Sequence, residues 1–272
     1  MSRWKREKKL SSWRRISLST WDKPRDPTVY GWLSLDVSLA LGYLERLERE
    51  SGVKLTLTHL VGKAIAVAIA ECPEVNAVVR HGRQVYTRSS VDVFFQVMFD
   101  QGNLSGAKVQ SADDKSLVEI AAELGQRAAT IRKKQPHELS RSDATLDRLP
   151  ALLRRRVLRG IESAIYDWGI DLSRFGVPQD GFGSAMVTNV GVFGLPYGLA
   201  PLVPFTRVPI VLTVGALADA PIAEHGPVVV RPVLPVGVTL DHRILDGYQA
   251  GKLARRFVAV VCDPERELHT VR

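Results

Sequence analysis

The stretch best suited to chemistry lies near the end of the 272-residue chain, where Asp241, His242 and Arg243 precede Asp246 and Gly247. It follows an apolar run and precedes a helical pattern, so a strand end would present the histidine on a rigid support. A neutral imidazole can accept a proton near neutral pH. Asp246 could hold the loop by pairing with a cation or with backbone N–H groups. From these residues alone, a merely packed or exposed histidine and a helix-capping aspartate stay open as alternatives.

Periodicity in the rest of the chain predicts the elements that would position this histidine. Apolar and β-branched runs predict strands at residues 30–37, 91–98, 185–188, 210–214 and 228–240. Apolar residues at helical spacing predict helices at 39–50, 58–70, 116–134 and 247–261, and a helix or helical hairpin within 146–168. Thr58 is the predicted N-cap of the second helix, and Pro73 follows its end. Because helices and strands mix without strict alternation, we expect an α+β domain.

Composition is that of an ordinary globular protein. The chain has 45% hydrophobic and 24% charged residues, and its length suffices to bury a sizeable core. No apolar run reaches the length of a membrane span, and no apolar stretch follows the basic N-terminus as in a secretory signal. We therefore expect a cytoplasmic protein without membrane contact. Cys72 and Cys262 lack metal-ligand spacing, so we expect reduced thiols and no metal site.

The formal net charge of +8 is concentrated near the N-terminus and in the arginines at 154–156. No nucleic-acid-binding motif accompanies this charge, so we expect no nucleic acid partner. The charge suits either a solvated basic face or a phosphate-bearing ligand. Residues 1–27 are basic and contain Pro24 and Pro27, which predicts an arm ahead of a domain at 28–272. Within that domain, residues at about 136–178 are basic and amphipathic, which predicts a helical insertion. It could pack on the domain as a lid, mediate assembly or lie on an anionic membrane, and packing or assembly is favoured.

The string Asp-His-Arg-x-x-Asp-Gly at 241–247 resembles the motif of the dihydrolipoamide acyltransferases. These are the core enzymes of the 2-oxoacid dehydrogenase complexes, and they share their fold with chloramphenicol acetyltransferase. Further segments resemble the family in the same order: the apolar helix at 58–69, the turn at 72–77, the helix start at 114–120, and Thr-Asn-Val-Gly at 188–191. The resemblance covers roughly residues 14–135 and 180–262. It implies a two-layer α+β sandwich with a mixed sheet, assembled as homotrimers and larger cubic shells of trimers.

The resemblance also implies roles for single residues. His242 matches the general base that deprotonates a thiol, either coenzyme A or dihydrolipoamide, as that thiol attacks an acyl thioester. Thr188 matches the hydroxyl that donates a hydrogen bond to the oxyanion of the tetrahedral intermediate, and Asn189 and Gly191 belong to the same substrate-binding segment. Asp246 matches the aspartate that orders the loop through a buried ion pair with an arginine. Candidates for that arginine are Arg14, Arg15 and Arg25.

In this family the site lies between subunits, so His242 would come from one chain and Thr188 from its neighbour. Both thiols would enter from opposite ends, and the acyl group would pass directly between them. Coenzyme A is the expected substrate. The chain shows neither the lipoyl domains nor the subunit-binding domain of the family. A lipoyl group, if used, is therefore expected in trans, from a lipoyl-bearing or dehydrogenase partner.

The chain departs from the family pattern in two further places. The segment at 102–109 lacks the family's proline near the substrate channel, and residues at about 136–178 have no family counterpart. Two alternative functions therefore stay open. One is an acyltransferase that acylates the hydroxyl or amine of a small molecule with the same His242. The other is a structural shell or scaffold with vestigial chemistry, although His242, Asp246 and Thr188 together favour an enzyme.

Overall fold

A seven-stranded mixed sheet with helices on one face forms the body of the chain in the computed structural model. The structure describes residues 26–81, 84–98, 104–133, 151–175, 177–223 and 226–269. The strands are β1 Thr28–Asp36, β2 Ala77–Arg80, β3 Gln84–Thr87, β4 Val93–Met98, β5 Leu104–Val109, β6 Ala185–Asn189, β7 Ile210–Val214, β8 Ala218–Ala223 and β9 Val228–Asp241. In the large sheet their order is β1, β9, β7, β6, β4 and β5, with β8 paired to the first part of β9. A separate hairpin pairs β2 with β3.

The helices pack almost entirely on one face of this sheet. They are α1 Ser38–Ser51, α2 Leu57–Ala70, α3 Leu117–Lys133, α4 Ala151–Glu162, α5 Gly247–Cys262 and α6 Pro264–His269. Helix α2 is apolar on all sides and is buried from Leu60 to Ile69, between the sheet and α5. The ring of Phe95 lies directly against α2, because a Cβ added at Gly62 would be 2.1 Å from that ring. Helix and sheet therefore share one continuous hydrophobic core.

Strand direction gives the sheet two distinct ends. Strands β4, β6 and β7 are parallel, so the last residues of β6 and β7, Asn189 and Val214, lie side by side. We call this the Thr188 end. Strand β9 is antiparallel to β7. Ile210, the first residue of β7, pairs with Leu240, so Asp241 at the end of β9 lies beside the start of β7. This opposite edge, with the loop that follows Asp241, is the His242 end.

The segment that follows α4 is anchored to the body by half-buried polar contacts. It continues α4 as the π-helical turn Ser163–Asp167. Arg207, in the turn before β7, pairs with Glu162 and Asp167 and also donates to the backbone carbonyl of Val79. Asp167 accepts a bond from the backbone N–H of His81 (2.7 Å), so this segment joins the β2–β3 hairpin to the turn. In helix α4 the residues from 156 to 160 are exposed, and its last residue, Glu162, contacts the body through Arg207.

The architecture confirms the predicted α+β fold with a mixed sheet, and the main predicted helices and long strands are present. Strands β2, β3, β5 and β8 were not predicted, because they are short and lack a clear apolar alternation; all four residues of β3 are exposed. Thr58 is not the N-cap of α2, so that prediction is wrong. Thr56 caps the helix, and its hydroxyl accepts a bond from the N–H of His59 (3.3 Å). The helix begins at Leu57 because the Thr56 backbone is extended and its side chain satisfies a first-turn N–H.

Some predictions fall outside the described residues. These are the N-terminal arm up to residue 25 and the first part of the predicted helical insertion, residues 136–150. Both cysteines are free thiols, Cys72 buried and Cys262 half-buried.

Candidate active site

His242 is exposed in the loop between β9 and α5, and its backbone is held on both sides. Its N–H donates to the carbonyl of Pro27 (2.9 Å), the residue before β1. The buried carboxylate of Asp241 accepts bonds from the backbone N–H of Arg243 (3.0 Å) and from its Nη2 (2.6 Å). This clasp spans His242. The peptide that carries the imidazole is therefore fixed, while the residue itself stays accessible to a substrate.

Asp246 lies four residues further on and caps helix α5. Its carboxylate accepts bonds from the N–H groups of Tyr248 (2.8 Å) and Gln249 (3.3 Å). The Gln249 amide oxygen accepts the N–H of Asp246 in return (3.1 Å), which completes a capping box. The capping alternative is thus present in the structure. The predicted ion pair stays a prediction, because Arg14, Arg15 and Arg25 lie outside the described residues.

Thr188 is half-buried near the end of β6 and faces away from the helices. Val187 belongs to the core beneath the helices, whereas Met186 belongs to a small cluster on the opposite face. Because side chains alternate along a strand, Thr188 shares the face of Met186. Across the sheet, Thr188 is level with Thr213, whose hydroxyl accepts a bond from the N–H of Ala200 (3.1 Å).

Asn189, the next residue, faces the helices. Its Nδ2 donates to the hydroxyl of Thr58 in the first turn of α2 (2.8 Å), and its Oδ1 accepts the N–H of Val192 (3.2 Å). Asn189 therefore ties the end of β6 both to α2 and to the loop that follows. Thr58, proposed above only as a cap, is instead the partner of a predicted site residue.

A cleft of about 320 Å³ opens beside Asn189 at the Thr188 end. It is lined by Thr56, Leu57, Thr58, Asn189, Gly191, Val192, Val214, Gly215, Ala216, Leu217 and Leu234. Gly191 is required by close packing, since a Cβ there would lie 2.4 Å from the carbonyl oxygen of Gly215. The structure thus brings Asn189 and Gly191 together in one cleft, while Thr188 faces the other side of the sheet.

His59 is adjacent in sequence to the cleft residue Thr58 and is half-buried. Burial lowers the pKa of His59 to about 4, because the protonated imidazole would lose its hydration. Its Nδ1 is buried and has no hydrogen-bond partner in the part of the chain that the structure describes. His59 is therefore neutral at neutral pH.

His242 and Thr188 lie far apart within one chain. Thr188 is level with Thr213 on β7, and Thr213 is level with Gly237 on β9. His242 is five residues beyond Gly237, which is about 16 Å along the strand, and β6 and β9 are separated by about 10 Å across the sheet. The two predicted catalytic side chains thus occupy opposite ends of the same sheet.

The surface near Thr188 is unusually apolar for an exposed region. The loop after β6 exposes Val192, Phe193, Leu195, Tyr197 and Leu199, each at 48% or more. On β1, Trp32 lies level with Gly237 and packs edge-on against Tyr197, with 4.8 Å between ring centroids. Contiguous exposed apolar surface of this kind is typical of protein interfaces.

Two general features complete the description of the site. Among the residues that the structure describes, no group of three or more His, Cys, Asp or Glu side chains is arranged to hold a metal ion. None of the described helices is long and apolar enough to cross a membrane.

Comparison with protein families identifies the fold. The sequence model described as 2-oxoacid dehydrogenases acyltransferase (catalytic domain) matches residues 6–148 and 179–269. The chain belongs to this family. The match passes over residues 149–178, which include α4 and the turn that follows it.

Curated relatives of the acyltransferase family resemble the chain over most of its length. The succinyltransferase component of the mouse mitochondrial 2-oxoglutarate dehydrogenase complex is 28% identical over 217 residues, 79% of this chain and 38% of the mouse protein. The corresponding protein of Bartonella vinsonii is 26% identical over 85% of this chain and 47% of its own length. The acetyltransferase component of the Acholeplasma laidlawii pyruvate dehydrogenase complex is 23% identical over 80% and 32%. The chain therefore spans less than half the length of these relatives.

Solved structures of the family share the fold. The cubic core of the pyruvate dehydrogenase multienzyme complex matches with a TM-score of 0.66 at 20% identity, covering 93% of this chain and 87% of that one. A probable dihydrolipoamide acetyltransferase from Listeria monocytogenes matches with a TM-score of 0.63 at 18% identity, covering 94% of each. These matches confirm the predicted fold and the resemblance to the acyltransferase cores.

Sequence reasoning missed several residues that build the site. The Asp241–Arg243 clasp could have been found, because an aspartate two residues before an arginine in a loop commonly forms such a local turn. The local sequence around Thr56 and at residues 214–217 did not indicate that these residues line a cleft. They lie far from Asn189 in sequence and meet it only through the fold.

Proposed function

We propose that the chain transfers an acyl group between coenzyme A and a thiol of dihydrolipoamide, at a site completed by a second copy of the chain. His242 is the general base, and Thr188 of the neighbouring copy stabilises the oxyanion. The lipoyl group is supplied in trans, and the assembly is a homotrimer or a cubic shell of trimers. Membership of the acyltransferase family supports the type of reaction. The activities of the relatives named above support dihydrolipoamide as the acceptor of the acyl group.

The observation that carries the proposal is the separation of His242 from Thr188. A base and an oxyanion donor must both lie within hydrogen-bond reach of one reacting carbonyl, about 3 Å from the atoms they serve. About 16 Å of strand and two strand spacings prevent this within one chain. Each chain carries half a site at either end of its sheet, and a neighbour is needed to complete both.

The exposed apolar residues support a neighbour at the Thr188 end. Val192, Phe193, Leu195 and Tyr197 lie in the loop that follows Thr188 and Asn189, and they expose too much apolar area for a surface that meets only water. A neighbouring chain that covers them would bring its own His242 loop toward Thr188. A closed ring satisfies every copy in the same way, which is the usual reason for cyclic symmetry.

The proposed chemistry balances without a covalent enzyme intermediate. His242 takes the proton of the attacking thiol, and the sulfur forms a bond to the acyl carbon. The carbonyl oxygen becomes an oxyanion, which accepts a hydrogen bond from the Thr188 hydroxyl. The intermediate then collapses, the original carbon–sulfur bond breaks, and the departing sulfur takes the proton back from His242. An acyl thioester and a thiol are consumed, and an acyl thioester and a thiol are formed.

Work on a structural relative supports the choice of residues. A serine, a histidine and an asparagine have been investigated for their role in the catalytic mechanism of Azotobacter vinelandii dihydrolipoamide acetyltransferase. A hydroxyl, an imidazole and a short polar side chain are the residue types that Thr188, His242 and Asp246 provide here. In this chain Asp246 acts as a positioning residue, because its capping box fixes the start of α5 directly after the loop.

The first test measures release of free coenzyme A from acyl-coenzyme A donors with dihydrolipoamide as acceptor. We expect release that depends on the acceptor and is lost in His242→Ala, since His242 is the proposed acceptor of the thiol proton. Size-exclusion chromatography should give the same assembly for both proteins. Full activity of His242→Ala, or no release by an intact assembly of the native chain, would refute the proposal.

A second test asks whether the two residues come from different chains. Equal amounts of His242→Ala and Thr188→Ala chains are allowed to assemble at random. About a quarter of the sites should then combine an intact His242 from one chain with an intact Thr188 from its neighbour. Each variant alone should be nearly inactive, and the mixture should recover about a quarter of native activity. A mixture no more active than its components would place both residues in the same chain.

A further inference from the structure

Two backbone N–H groups at the start of the His242 loop are bound from the two strands that flank β9. The N–H of Asp241 donates to the carbonyl of Pro209 (2.9 Å), the residue before β7. The N–H of His242 donates to the carbonyl of Pro27 (2.9 Å), the residue before β1. The Pro209 bond lies just beyond the last residue pair of β7 and β9. The place of the histidine peptide therefore depends on the place of Pro209.

Pro209 follows a turn whose backbone has an unusual conformation. Pro204–Thr206 form a 3₁₀ turn, and Arg207 ends it with a φ of +52°. A residue other than glycine rarely adopts this left-handed conformation, which persists only where surrounding contacts hold it. Because Arg207 is two residues before Pro209, the contacts that hold Arg207 also decide where Pro209 lies.

The side chain of Arg207 binds acceptors in two distant segments. Its Nε and Nη2 donate to the carboxylates of Glu162 and Asp167, and its Nη1 donates to the backbone carbonyl of Val79. The Arg207 side chain is only 16% exposed, and the two carboxylates are no more exposed. Breaking such a shielded charge pair is costly, because the partner that remains is left uncompensated. The Arg207 contacts are therefore strong enough to hold the turn.

Tyr166 binds the same turn from the same segment. Its hydroxyl donates to the carbonyl of Thr206 (3.0 Å), and its side chain is buried. The residues from Glu162 to Asp167 thus contact the turn at Thr206 and at Arg207. They belong to residues 149–178, which the family model passes over. The support for the turn comes from a part of the chain outside the family match.

From these contacts we infer that Arg207 is a positioning residue for His242, and that it acts by anchoring the Pro209 turn to the segment from Glu162 to Asp167. The inference rests on the proposed function for the role of His242 as the base. A base must lie about 3 Å from the group whose proton it takes, and a displacement of about 1 Å can lower the rate about 10²-fold. A released turn would move Pro209 and the peptide bound to it, without touching either substrate.

The first experiment replaces Arg207 with glycine and measures coenzyme A release. Glycine adopts a positive φ without strain, so Arg207→Gly removes the side-chain contacts and leaves the turn conformation allowed. We expect kcat to fall by about tenfold with KM within about twofold of the native value, since the groups that bind substrate are unchanged. Arg207→Lys keeps one charge but lacks the planar fork, so its kcat should lie between the two.

The matched control is Arg256→Ala. The Arg256 side chain is 17% exposed and pairs with Glu71 and Glu267, but it lies ten residues along α5 from Asp246, about 15 Å. This variant should lose stability and keep a kcat within about twofold of the native value. Circular dichroism fixes a temperature at which every variant is folded. Equal falls in kcat for Arg207→Gly and Arg256→Ala would make Arg207 a general stabiliser and overturn the inference.

The route through the segment is tested by its two carboxylates. Glu162→Gln with Asp167→Asn removes both charges and keeps the shapes of the side chains. In the native chain this double substitution should lower kcat by about threefold or more, and in Arg207→Gly it should change kcat by less than about twofold. Independent, multiplying losses would mean that Arg207 does not act through these residues, and the inference would fail.

Amide hydrogen exchange separates this inference from the proposed function, because it needs no turnover. The N–H of Asp241 should exchange about tenfold faster in Arg207→Gly than in the native chain, and Arg256→Ala should leave it unchanged. Unchanged exchange at Asp241 in Arg207→Gly overturns the inference whatever the activity. Faster exchange in a chain that transfers no acyl group supports the anchoring of the loop and refutes only the proposed function.

Discussion

The two ends of the sheet hold their candidate residues by different means. At the His242 end, charged groups hold the loop: the Asp241–Arg243 clasp and the carboxylate of Asp246 fix the backbone on either side of an exposed histidine. At the Thr188 end, neutral groups and close packing hold the strand: Asn189 bonds to Thr58, and Gly191 touches Gly215. A base must move protons and stay accessible, whereas an oxyanion donor must stay still. The difference fits the role proposed for each end.

The largest expected effect at the Thr188 end is that of Thr188→Val. The substitution keeps the shape of the side chain but removes the hydroxyl, so the oxyanion would lose its donor. We expect kcat to fall by about 10²- to 10³-fold with little change in KM. Steady-state kinetics of coenzyme A release measures both constants. Thr188→Ser keeps the hydroxyl and should recover most of the activity; equal losses in both variants would contradict the role.

Acidification should destabilise the folded chain through the protonation of His59. Its pKa is about 4 in the folded chain but ordinary in the unfolded chain, so protons bind preferentially to the unfolded state between pH 6.5 and about 4. Stability should therefore fall as the pH drops through this window, by up to about 3 kcal/mol for this one group.

Urea unfolding of the native chain and of His59→Leu at pH 7 and pH 4.5 measures this effect. Carboxylates with lowered pKa values, such as Asp167, contribute equally to both proteins and cancel in the comparison. The native chain should lose more stability than the variant on acidification. An equal loss in the two proteins would mean that His59 is not the acid-sensitive group.

Packing at the Thr188 end is tested by Gly191→Ala. The added Cβ would lie 2.4 Å from the Gly215 carbonyl oxygen, so the two loops would have to separate. We expect a loss of about 1–3 kcal/mol in the free energy of unfolding, together with lower activity. Gly125→Ala is the matched control, because nothing lies within 4 Å of its added Cβ in helix α3, and it should not destabilise the chain.

The smallest expected effect concerns the His242 end. Asp246→Ala removes the capping box of α5 and should cost about 1 kcal/mol of stability, with a moderate fall in kcat as the loop loses its support. Asp246→Asn can still cap the helix and should be nearly as stable as the native chain. If Asp246→Asn is instead as damaged as Asp246→Ala, the negative charge itself matters. That outcome would favour the predicted ion pair with an arginine of the N-terminal arm.

The sequence was most informative where function depends on neighbours along the chain. The motif at 241–247 and the apolar pattern before it were enough to predict a histidine at a strand end, and the structure has it there. The pattern was least informative where contacts join distant segments. Asn189 meets Thr58 across 131 residues, and Arg207 meets Glu162 across 45, and no local periodicity encodes either contact. Short strands such as β3 and β8 escaped prediction because their stability comes from pairing and not from an apolar face.

The long strand β9 has a consequence for the spacing of sites in any ring of copies. Of its fourteen residues, 228–233 pair with β8, 233–241 pair with β1 on one side, and 236–240 pair with β7 on the other. The strand fixes the distance between the two half-sites, because a paired strand can neither stretch nor bend freely. The distance from one reaction centre to the next is then a property of the sheet itself, and loops can vary in length without changing it.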